Sequence, residues 1–134
     1  MHTFTTNTKG AAQAYLESSL ETAPPIKIVR LLYEGALRFL DRATTAQGAA
    51  RRAEFTLWLR RADSIVSELR TSLDHEVDPA TSSNLDRLYE FVQARLSQAI
   101  VDASAEPLPA ARAVLEKLLD GWRGVEVETT GRGE

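Results

Sequence analysis

The side chains that could do chemistry are few, and their spacing does not suit it. The chain has 134 residues, two histidines and no cysteine. His2 lies in a polar leader and His75 in the acidic stretch DHEVD. A metal site inside a helical bundle draws on pairs such as Glu-x-x-His or His-x-x-x-His, and neither histidine has such a neighbour. Asp74, Glu76 and Asp78 around His75 lack the ligand order of a calcium loop and read as a solvated turn. Phosphotransfer would need an exposed histidine in mid-helix. No P-loop, GxSxG or GxGxxG segment occurs. Carboxylates recur only at the spacing of exposed helix faces, not as an isolated acid–base pair. The expectation is a protein that is not an enzyme and that uses no metal and no cofactor.

Without cysteine there is no disulfide framework and no thiolate site, which suits a reducing cytosol. The leader MHTFTTNTKG has no apolar segment of the kind a signal peptide carries. No apolar run approaches the ~20 residues that cross a bilayer. A cytoplasmic protein without membrane insertion is expected. The net charge of −3 gives no general drive toward nucleic acid. The charge is uneven: residues 1–70 hold ten basic and seven acidic side chains, residues 71–134 six and twelve. The basic excess clusters at Arg51, Arg52, Arg60 and Arg61, a solvated helix face or a surface for an acidic partner.

Apolar residues at helical spacing define four long segments. The first begins at Pro24 or Pro25, where proline suits a helix start, and ends before Gly48. Ile26, Val29, Tyr33, Ala36, Leu37, Leu40 and Ala43 face inward. Arg30–Glu34 and Glu34–Arg38 are candidate i,i+4 pairs. The second runs over about 51–73, with Phe55, Trp58, Leu59, Ala62, Ile65, Val66, Leu69 and Leu73 inward. Ser83 with Asp86 resembles a capping box for the third, which runs to about Ala103. Pro107 and Pro109 precede the fourth, built on Ala111, Val114, Leu115, Leu118, Trp122 and Val125. Nothing alternates like a strand. The fold class is all-α, an antiparallel four-helix bundle with helices of roughly 22–35 Å. Residues 1–22 form an N-terminal arm with a short extra helix, 23–125 the bundle, and 126–134 a disordered tail.

Some apolar residues fall off the inward arcs when each residue is placed 100° from the last. Leu31 sits among Lys27, Glu34 and Arg38, with Ile28, Gly35 and Phe39 on its flank. Leu57 is opposite Phe55. Phe91 lies beside Arg87 and Arg95, and Val101 opposite Ala103. One such residue would mean nothing. Several on three successive helices mark a partner surface whose natural ligand is an amphipathic helix. Ile28, Leu31, Phe39, Leu57 and Phe91 are the candidate client-binding residues. Each fully buried Leu or Phe contributes ~1.5–3 kcal/mol, so a few anchors support useful affinity.

Several pieces, taken in order, resemble the flagellar secretion chaperone family of the FliS type. They are AYLESSLETAPP, IVRLLYEGALRFLDRA, ADSIVSELRTSLD, NLDRLYEFVQARLSQA and a tryptophan near the end of the last helix, Trp122. Pro24 stands where the family usually has Ser, Glu34 where it has Asp, and Ile100 where it often has Asn. The Pro24 change implies a lost side-chain cap. The resemblance implies a cytosolic export chaperone. Its client is the C-terminal helical segment of flagellin, which it keeps from polymerising early and delivers to the export gate of the flagellar secretion apparatus. It also implies that the arm carrying Tyr15 and Leu16 covers a groove until a client displaces it; a permanent packing staple fits the same residues. A four-helix adaptor or regulatory bundle with another helical client is the alternative.

Overall fold

The computed structural model describes residues 25–46 and 51–133. They form four helices: α1 (Ile26–Thr45), α2 (Arg52–Thr71), α3 (Pro79–Asp102) and α4 (Leu108–Gly133). Among the described residues there is no strand. Helix α1 packs on α2 and α4, and α3 packs on the same two, so α1 and α3 are diagonal partners. This is the expected four-helix bundle. The expected arm, with Tyr15 and Leu16, lies outside the described residues.

The helix starts follow local chemistry. Pro25, at φ −55° and ψ 145°, is the last extended residue before α1, and its carbonyl accepts from Ile28 and Val29 N–H. No side chain caps this end. The capping position is therefore residue 25, so a serine at position 24 would stand one residue too early to cap α1. Helix α3 begins earlier than the Ser83–Asp86 pattern suggests. Asp78 is its cap: one carboxylate oxygen accepts from Thr81 N at 3.3 Å and the other from Thr81 Oγ1 at 2.8 Å. Pro79 takes the first helical position, where a missing N–H costs nothing. Ser83 is thus an interior helical residue, and Asp86 is free to pair elsewhere.

The helix ends also differ from expectation in one place. Helix α3 closes through Ala103 in the left-handed conformation, φ 50°, with Ser104 N–H donating to Ala99 O at 3.1 Å. Helix α4 does not stop at Val125 before a disordered tail; it runs on to Gly133. Val125 is buried, and Glu126 is tied to α1 through Arg30 at 2.6 Å. No proline follows to break the turn.

The core matches the inward arcs. Tyr33, Leu40, Leu59, Val66, Tyr89, Val92, Leu96, Leu115 and Leu118 are almost wholly buried. Ile26, Trp58, Ile65, Leu73, Leu88 and Val114 sit at its margin, partly exposed. Polar contacts close two seams. Between α1 and α4, Glu34 accepts from Arg30 at 3.2 Å and from Arg123 at 3.0 Å, and Arg112 donates to Asp41. The expected Glu34–Arg38 pair is not formed, because Glu34 turns toward α4. Between α2 and α3, Arg70 grips Asp86 at 2.6 and 3.2 Å and Gln93 at 3.1 Å. Gln93 Nε2 in turn donates to Asp63 and Ser67.

Candidate functional site: the α1/α2 seam

The α1/α2 seam differs from the two polar seams. Its contacts are apolar and aromatic. Phe39 stacks on Trp58, with ring centroids 5.6 Å apart and planes 19° apart. One turn earlier on α1, Gly35 is buried, and a Cβ built on it would lie 3.3 Å from Ile65 Cδ1. A helical glycine costs about 1 kcal/mol relative to alanine. Here it lets the two helices approach closely.

Four of the five candidate contact residues gather on this seam. Ile28 and Leu31, each 47% exposed, stand on the α1 shoulder; Leu57, 43% exposed, stands on the α2 shoulder. The fourth, Phe39, is half-buried, its ring committed to Trp58. Gly35 faces Ile65 and Phe39 faces Trp58, which sets the antiparallel register. In that register Leu31 lies opposite residues 66–69, nine to twelve residues from Leu57 along the seam, roughly 14–18 Å, or about three turns of a docked helix.

Phe91 is placed elsewhere. It is 41% exposed, with Arg95 over its ring at 5.6 Å. Gln93, two residues on, faces α2 through Asp63 and Ser67. Two residues turn the helix by 200°, so Phe91 points to the α4 side of α3. The structure therefore offers one apolar seam and one separate aromatic patch. Val101 is exposed as expected, at 76%.

Sequence reasoning missed what surrounds Trp58. Both Arg42 and Arg61 lie over its ring, at 4.9 and 5.1 Å from the centroid. Arg38 Nη2 comes within 3.6 Å of the Gly35 Cβ position, so it too lies along the seam. The signal was present in the spacing: Arg38 and Arg42 are four apart on α1, and Arg61 follows Trp58 by three on α2. Arg60 and Arg52, counted with Arg61 in the sequence, lie about 100° and 180° from it round α2, toward and past its α3 side.

No chemistry can be built from these groups. Among the described residues no three His, Asp or Glu side chains converge as metal ligands, and no helix is long and apolar enough to cross a membrane. His75 is an exposed turn residue between the Asp74 carbonyl, which accepts from Ser82 Oγ at 2.9 Å, and Glu76, whose N–H donates to Asp74 Oδ1. What the geometry defines is a four-helix-bundle module with an apolar seam that closes tightly at a glycine and is bordered by arginines.

Comparison with known proteins gives that module its family. Residues 7–129 match the family described as flagellar protein FliS. The flagellar secretion chaperone FliSB of Pseudomonas aeruginosa is 32% identical over 113 residues, covering 84% of this chain and 90% of that one. The flagellar secretion chaperone FliS of Salmonella typhimurium is 27% identical, with 87% of each chain covered. That of Escherichia coli is 28% identical, with 87% and 86% covered. This chain belongs to the FliS family of flagellar secretion chaperones, a family of chaperones and not of enzymes.

Proposed function

We propose that this protein is a cytoplasmic export chaperone that binds the C-terminal helical segment of flagellin, prevents its premature polymerisation and delivers it to the export gate of the flagellar secretion apparatus. The observation that carries the reading is the exposure of Ile28, Leu31 and Leu57 along one seam in a chain of the FliS family. A filament subunit needs an apolar helix face to assemble. The same face, left uncovered before export, would drive assembly too early. Seating it on Leu31 and Leu57 removes it from water at ~1.5–3 kcal/mol per fully buried side chain. Covering the face is enough; no reaction is required.

In this reading Phe91 serves a client chain that continues past the seam, and the arm with Tyr15 and Leu16 competes for the seam when no client is present. The test is co-expression with flagellin, followed by affinity capture and a polymerisation assay. Capture should depend on the C-terminal segment of flagellin, and bound flagellin should not seed filaments. Undiminished capture of a flagellin lacking that segment would place the client site elsewhere. Capture of a different helical protein in place of flagellin would support the adaptor reading.

A further inference from the structure

Seven arginines lie on three seams of the bundle and fall into two groups; Arg51, Arg52, Arg60, Arg87 and Arg95 stand apart from both, also without an ion pair among the described residues. Arg30, Arg70, Arg112 and Arg123 lie on the α1/α4 and α2/α3 seams, and each holds a carboxylate. Arg38, Arg42 and Arg61 lie on the α1/α2 seam, and none has a carboxylate partner among the described residues. Two acids border that edge and each has another partner: Asp41 accepts from Arg112, and Glu54 accepts from Trp58 Nε1 at 3.4 Å. Glu68 stands seven residues past Arg61, about 10 Å along α2.

Three cations on one edge repel each other, yet two of them are held in place. Packing over Trp58 fixes Arg42 and Arg61 at 4.9 and 5.1 Å from its ring, and cation–π attraction supports that arrangement. A shallow depression of about 330 Å³ opens beside them, where Arg42, Arg51 and Trp58 share the lining with Asp41 and Glu54. A guanidinium already stacked over a ring loses little further freedom when its N–H fork meets a carboxylate. Leu31 and Leu57 flank the same edge.

We propose that Arg38, Arg42 and Arg61 form an anion-reading edge of the α1/α2 seam, selecting partner helices that carry carboxylates beside their apolar stripe. This rests on the seam being the client site, and it adds the chemistry by which a client is chosen and set in register. Charge complementarity identifies the occupant. The fork geometry suits aspartate and glutamate. The intervening Leu31 and Leu57 demand aliphatic contact, which a single-stranded nucleic acid does not supply. Trp58 is half-buried beneath Phe39 and two guanidinium groups, so it offers no open face for a base to stack on.

The test uses the full chain and a leucine–alanine helical peptide of about five turns, made with glutamates beside the leucine stripe or with glutamines in their place. Titration calorimetry should show the glutamate peptide binding about tenfold tighter at low salt, a preference that shrinks as salt rises. Arg42→Gln with Arg61→Gln should abolish the preference, while Arg42→Lys with Arg61→Lys should retain part of it. Circular dichroism should show each variant folded as the wild type. Equal affinity for the two peptides, failure of both to bind, or a preference that survives the double glutamine variant would overturn the proposal. So would displacement of the glutamate peptide by oligouridylate, or a dimer that the double variant dissolves, which would give the edge to RNA or to a second copy. Purified flagellin in parallel separates the two readings. Flagellin that binds wild type without any acid preference sinks the edge and spares the chaperone reading. An acid preference without flagellin binding does the reverse.

Discussion

The phenol oxygens of Tyr33 and Tyr89 lie 2.5 Å apart at the centre of the bundle. They join α1 to α3, the diagonal pair that otherwise barely touches. Their rings are tilted at 45°, with centroids 6.5 Å apart. Both rings are buried, so this bond forms away from water. A buried polar group left without its partner costs about 1–3 kcal/mol. Tyr33→Phe should therefore destabilise by about 1–2 kcal/mol. The double phenylalanine variant should lose less than the sum of the two. Urea unfolding of the four proteins measures this; strict additivity would mean that the hydroxyl groups are not coupled.

The same burial sets an alkaline limit. Desolvation pushes the Tyr33 phenol up to about 12 from its ordinary 10, against the opposing pull of its hydrogen bonds. Above pH 10 the unfolded chain loses this proton while the folded chain keeps it. The unfolded state then binds fewer protons, so stability falls as pH rises from about 10 to 12. Tyr33→Phe removes that increment. Its unfolding free energy should fall less steeply than that of wild type across this window, and parallel slopes would refute the assignment.

On the acid side the α2/α3 seam decides. The hydrogen bond from Arg70 holds the Asp86 carboxyl below its ordinary value. A lowered carboxylate contributes stability that is present above its unfolded pKa and lost as pH falls through its folded one. Both side chains are about one-third exposed, which screens the pair. Asp86→Asn should thus cost only about 0.5–1 kcal/mol at pH 7. The gap from wild type should close as pH drops below the ordinary aspartate value of 3.8. A gap that persists in strong acid would show that packing, not charge, is what the substitution removes.

The bundle was legible because its inward arcs are long and regular. Tyr33, Leu40, Leu59, Val66, Leu96 and Leu118 all recur at helical spacing, and all are buried. The outward Leu31, Leu57 and Phe91 were legible for the same reason. What spacing on one helix does not fix is how two helices face each other. Thus Phe91 grouped in sequence with Leu57 but points to another seam, and Trp58 counted as core although it carries two arginines at the surface. Glu34 is the same case: its i+4 neighbour Arg38 was visible, whereas the competing Arg123 is 89 residues away. Local capping failed differently. Ser83–Asp86 fits a capping box by type, but Asp78-Pro79 offers both a cap and a residue already suited to the first turn.

Ala103 holds φ 50° at the end of α3, a region where a Cβ meets the following carbonyl at a cost of about 1–2 kcal/mol. Glycine adopts this conformation freely but gives the unfolded chain more entropy, about 0.5–1 kcal/mol. Ala103→Gly should stabilise the protein by the difference, up to about 1 kcal/mol. Its melting temperature should rise with no change in client binding. A fall in melting temperature would mean that the methyl group makes contacts worth more than the strain.

Leu31, Leu57 and Phe91 can be separated by their faces. Each is more than 40% exposed, so a glutamate at any of them should leave the fold within about 0.5 kcal/mol of wild type. Flagellin that seats its apolar face on the α1/α2 seam buries Leu31 and Leu57, at ~1.5–3 kcal/mol each. Leu31→Glu and Leu57→Glu should each weaken flagellin binding by about ten- to a hundredfold, since 1.4 kcal/mol is a factor of ten. Both act on one docked helix, so the double variant should lose less than the product of the two. Phe91→Glu lies on the α4 side of α3 and should weaken binding by less than either. Fluorescence anisotropy with a labelled C-terminal flagellin segment, read at matched salt, compares all four. Equal losses from Leu57→Glu and Phe91→Glu would show that the client runs round the bundle and engages both faces with comparable weight. Full affinity in the Leu31→Glu, Leu57→Glu double variant would remove the seam as the client site.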